Sequence, residues 1–208
     1  MGLFLSMFGV VGCNQDEVVD ALRAYAESKG GLLEQEKLTK EEDHCLVIPE
    51  GFGGVTILYP ARFLDWEDAT QHLSRQLEKP VFSFHIHDSD LWMYSLYEVG
   101  DVVDQFNPVP DYWQELDEDE RIGWQGNAYE VAKRVPGLSP QDVARYLVQW
   151  DDDIFDSKER KKAYPGDRFY YGDDWQLTDF MSKLGLDYPI DDSGAPHGDT
   201  YRFECAPR

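Results

Sequence analysis

The chain has 208 residues, 42% hydrophobic and 14% aromatic, with 41 acidic residues against 19 basic and a formal net charge of −22. That length and apolar content suit one large domain, or one domain with an appendage, and exclude a disordered acidic tail. The charge repels phosphate backbones and anionic lipid, so no nucleic-acid or membrane partner is expected; it favours a basic protein partner, a cation, or nothing beyond solubility.

The acids outnumber the bases by 19 to 7 in residues 1–110, by 13 to 6 in 111–160 and by 9 to 6 in 161–208. Cys13, Cys45 and Cys205 are odd in number with no close pair, which suits reduced thiols in a cytoplasmic protein. The opening MGLFLSMFGVVG lacks the basic start of a signal peptide. Gly2 and Ser6 match a myristoylation pattern, but the stretch reads as a buried first strand. Nothing approaches the roughly 18 apolar residues that span a bilayer.

A strand over 3–11 leads into a helix over 15–29. Asn14 and Glu17 have capping-box spacing there, Val18, Ala21, Leu22, Tyr25 and Ala26 share one face, and Gly30-Gly31 stops the helix. Strands are expected over 32–38, 45–49 and 54–59, separated by an acidic loop at 41–43 and by GFGG. A second helix, 66–78, starts at Asp65 with Ala69, Leu73 and Leu77 as its stripe and Pro80 as its stop. Strands over 81–87, 91–98 and 102–106 follow.

The order β-α-β-β therefore occurs twice, offset by roughly 50 residues. It predicts an α+β fold: an antiparallel sheet built from two β-α-β-β units with helices on one face, plus a C-terminal helical extension. In element order this plan resembles the duplicated effector-binding domains of the bacterial gyrase-inhibitor type. The resemblance implies an internal two-fold and a small-molecule cleft on the open sheet face.

In FHIHDSD, residues 84–90, alternation puts Ser83, His85 and His87 on one face and Phe82, Phe84 and Ile86 on the other. Asp88-Ser89-Asp90 is turn chemistry. The aromatic face is the expected core face, which leaves both histidines displayed to solvent or to a concave surface. Two imidazoles at this spacing occur in zinc sites, but no spacing selects a third ligand, so neither a metal nor a cofactor is expected. No phosphate loop, nucleophile elbow or H-E-x-x-H motif is present, and no motif places a nucleophile beside His85.

Two prolines and then six acids within 111–120 mark a boundary near 110. Residues 1–110 are the expected sheet domain, and 111–208 a mainly helical extension packed on it. Tyr112, Trp113 and Trp124 flank the acidic run. Aromatics beside carboxylates suit an interface, with Glu118 and Glu120 as charged members, and they equally suit a loop pinned to the sheet. Asn127 and Glu130 open a short helix ending at Pro136-Gly137. Ser139, Pro140 and Asp142 open another through LSPQDVARYLVQW, with Val143, Ala144, Leu147 and Val148 as its buried stripe. This helix pair has helix-turn-helix order, but its charge argues against DNA. DDDIFDSKER lacks the ligand order of a calcium loop, and 191–199 reads as an acidic loop. A last helix, capped by Asp173, buries Leu177, Phe180, Met181 and Leu184, and TYRFEC returns as a strand.

The leading reading is a non-enzymatic cytoplasmic binding protein whose acidic surface engages a basic partner, as immunity or inhibitor proteins do. One alternative is a small-molecule effector domain with a cleft on the sheet face. Another is a metal-dependent enzyme using His85 and His87.

Overall fold

The computed structural model describes residues 2–37, 45–48, 53–61, 63–151, 154–155, 160–191 and 198–205. The expectations for 41–43, and most of those for 151–160 and 191–199, lie outside them. In chain order the elements are β1 (Leu5–Val11), α1 (Gln15–Ser28), β2 (Leu32–Gln35), β3 (Cys45–Ile48), β4 (Gly54–Leu58), α2 (Trp66–Leu77), β5 (Val81–His87), β6 (Leu91–Glu98) and β7 (Asp101–Phe106). Then come α3 (Glu118–Gly123), α4 (Ala128–Arg134), α5 (Pro140–Val143), α6 (Gln176–Lys183) and β8 (Asp199–Glu204). Among the described residues no helix is long and apolar enough to cross a membrane.

The fold is α+β and every strand pairing is antiparallel, in the order β2-β8-β3-β4-β1-β5-β6-β7. Among the described residues, the three strands β2-β8-β3 join the other five through the pair Val47 with Leu58. The β-α-β-β order is present twice, but the pairing is not repeated. β5 and β6 form a hairpin, whereas β8 lies between β2 and β3. The strand expected at TYRFEC is what separates them: the end of the chain completes the sheet begun near its start.

Both sheet faces are covered. On one, Phe8, Val10, Ile57 and Val81 pack with Val18, Leu22 and Tyr25 of α1, Ala69 and Leu73 of α2, and Tyr201 and Phe203 of β8. On the other, Met7, Phe82, Phe84, Ile86, Trp92 and Phe106 pack with Val131, Val143, Tyr146, Phe180 and Met181 of the C-terminal half. The aromatic face of β5 is thus a core face, as its alternation requires. The face expected to be bare, which carries His85, lies under α2.

Local capping sets several of these elements. The reciprocal bonds between Asn14 and Glu17 start α1. The last acids of the 111–120 run open α3, because Asp117 and Glu120 cap each other's backbone N–H groups. The helix opened by Ser139 stops at Val143. The chain turns there so that Tyr146 enters the core and donates its hydroxyl hydrogen bond to Asp167 at 2.7 Å. Ala144 and Val148, expected on a buried stripe, are left exposed.

Candidate functional site

The register of β1 against β5 places Ser6 directly opposite His85. Ser6 Oγ and His85 Nδ1 are hydrogen-bonded at 2.8 Å. The indole of Trp66, the first residue of α2, stacks on the imidazole with centroids 5.0 Å apart and planes within 5°. Burial, and after it the neighbouring His87, pushes the His85 imidazole down to about 4. His85 is therefore a neutral, covered ring at neutral pH rather than a displayed one. A serine–histidine pair becomes a nucleophile only with a third group orienting the imidazole and donors facing an oxyanion. The ring neighbours of His85 are instead Trp66 and His87. Ser6 was not legible as a partner, because it lies 79 positions away and strand register alone joins the two.

His87 lies two residues on and meets three aromatic rings edge to face: Phe4 at 4.9 Å, Trp113 at 5.0 Å and Tyr112 at 5.5 Å. Three segments converge here. The N-terminal strip docks on the β5–β6 turn, with Gly2 N–H donating to Asp88 Oδ1 at 2.9 Å and Leu3 N–H to Ser89 Oγ at 2.7 Å. Ser89 N–H returns a bond to Leu3 O. From the other side, the Tyr112 hydroxyl donates to Asp90. That bond to the carboxylate raises the phenol above its ordinary pKa.

The loop carrying Tyr112 and Trp113 is fixed at both ends. Asp111 accepts the Leu116 N–H at 2.8 Å and pairs with Arg121 of α3 at 3.0 Å. Even so, Phe4 is 47% exposed, Tyr112 37% and Trp113 53%. The backbone of this loop is thus pinned while its aromatic rings stay exposed.

Of the residues selected from sequence, Tyr112, Trp113, His87 and His85 form one connected cluster. Glu118 is exposed in the first turn of α3. The Glu120 carboxylate is taken up in the α3 cap. Trp124 ends α3, half-buried, and its carbonyl accepts the Asn107 N–H at 3.0 Å, which ties the helix to the end of β7. Sequence reasoning did not select Phe4, Trp66, Asp88 or Asp90 for the site. Asp88 and Asp90 carried a turn signal and stood among the acids that no spacing selects as a further metal ligand, and Phe4 and Trp66 read as strand and helix positions.

Among the described residues no group of three or more His, Cys, Asp or Glu is arranged to hold a metal ion. An open groove of about 890 Å3 lies beside α6, lined in part by Phe169, Trp175, Asp179, Asp187 and Tyr188. Both Asp179 oxygens there already accept the backbone N–H of Arg168, and one also accepts that of Phe169. Comparison with protein-family models, curated proteins and solved structures finds no match.

Proposed function

We propose that the chain is a non-enzymatic cytoplasmic binding protein that takes a basic protein partner at the corner built by Phe4, His87, Asp88, Asp90, Tyr112 and Trp113. The observation that carries this reading is the pair Tyr112–Trp113, held by Asp90 and Asp111 yet left exposed beside the acidic helix α3. The net charge of −22 supplies a long-range field that raises the encounter rate with a cation. Buried aromatic anchors then hold the complex. The same field disfavours nucleic acid.

Capture from an extract of the source cell, followed by reconstitution from purified components, tests the proposal. The expected result is a stoichiometric complex with a basic protein, weakened by salt and weakened about 30-fold or more by Trp113→Ala. Failure to capture any protein at low salt overturns the reading. So does a complex indifferent to Trp113→Ala combined with Glu118→Lys.

A further inference from the structure

We propose that the partner-binding surface continues from the aromatic corner onto the connection between β4 and α2, where Leu64 is a second anchor that receives an apolar side chain of the basic partner. The inference rests on the basic-partner reading above and adds where the partner's apolar contact extends. Of the large apolar side chains exposed among the described residues, Leu64 is the most exposed, at 83%. A lone exposed leucine is ordinary on a protein surface, whereas one that continues an exposed aromatic cluster marks a contact site. Local structure does not use Leu64 either. It precedes Asp65, the N-cap of α2, and so stands where a hydrophobic staple packs back on the fourth helical residue, here the buried Ala69. At that exposure the staple is not made.

The connection passes the end of the sheet that carries the corner. Tyr59 N–H donates to Ser6 O at 3.0 Å, and Ser6 is in turn bonded to His85. Phe63 turns inward against Tyr59 and Phe203, with ring centroids 5.0 and 4.9 Å apart, and its N–H bonds Pro60 O. That anchor fixes the backbone that presents Leu64, so little ordering remains to oppose binding. Two residues on, within about 7 Å along the chain, Trp66 stacks on His85. His85 meets His87 at 5.7 Å, and His87 meets Phe4 and Trp113. Ring contacts therefore run unbroken from the neighbourhood of Leu64 to the exposed Phe4 and Trp113. Glu67 follows Trp66, Asp88 follows His87, and both are exposed, as is Asp90. An apolar track edged by carboxylates fits an apolar side chain flanked by lysine or arginine. It disfavours a second copy of this chain, which would bring the same carboxylates to the same track.

The test uses the full chain and a peptide of about ten residues made of lysine and leucine, with a control of equal charge in which serine replaces leucine. The expected result is a change in the NMR shifts of amides 64–66 together with those of 112–113 when the first peptide is added. Binding should be about tenfold or more weaker for the serine control, and for the chain carrying Leu64→Ser. Serine is the informative replacement, because a carboxylate at this position would itself attract the peptide. Circular dichroism verifies the fold of that variant. Equal binding of both peptides, binding of neither, or shifts confined to 112–113 overturns the inference. If Trp113→Ala weakens the reconstituted partner complex while Leu64→Ser leaves it unchanged, the proposed function stands and the extension to Leu64 falls.

Discussion

His85 shows how one strand register fixes the chemistry of a residue. The folded chain holds its imidazole down to about 4, against an ordinary value near 6.5. Between those pH values the unfolded chain binds a proton that the folded chain refuses. Stability is therefore fully present above about pH 6.5 and lost as pH falls towards 4. The loss is about 2–3 kcal/mol, lessened by the partial solvent contact of the ring. His85→Phe keeps the stack on Trp66 and removes the titration. Urea unfolding at pH 7.5 and 5 should show a smaller drop in this variant than in the wild type, and equal drops would refute the assignment. Alternation alone made His85 and His87 legible as a same-face pair. Their partners were not legible, because Ser6, Trp66 and Tyr112 reach them across strand pairing, a helix start and a long connection.

Among the elements, those with local signals were legible and those set by distant pairing were not. β5 and β6 run over the expected residues because period-two alternation and the Asp-Ser-Asp turn lie within a few positions of one another. α1 has its expected cap for the same reason. Nothing local to TYRFEC states that β8 runs between β2 and β3. Arg202 holds it there, 2.7 Å from Glu34 and within 4 Å of Glu36 and Glu204, a cation among acids that only the paired strands bring together. The strain of the β6–β7 turn was not legible. α2 clasps the turn at Gly100, whose N–H donates to Ser74 Oγ at 3.1 Å and whose carbonyl accepts from Gln71 at 2.7 Å. Val99 bears the left-handed conformation. Val99→Asn should stabilise the chain by about 1 kcal/mol, read as a higher unfolding midpoint. A lower midpoint would show that the valine is not strained.

For the molecule as a whole, two cores and a surface of net charge −22 divide the work. The cores cover both faces of the sheet, and the exposed aromatics stand at its corner, beside carboxylates. The acidic balance was legible from composition, and so was the pairing of aromatics with acids in 111–120. Their union with the histidine turn was not, because it depends on the chain passing back from β7 to Asp90. Charge and aromatic anchoring make different marks on affinity. Charge gives a dissociation constant that rises with salt, whereas a buried ring contributes at every salt concentration. The most direct measurement is the dissociation constant of the reconstituted complex across a salt series, for the wild type and for Trp113→Ala. The account predicts that both weaken with salt along parallel lines, with the variant weaker throughout by about 30-fold or more. Superimposed lines, or wild-type affinity that ignores salt, would contradict it.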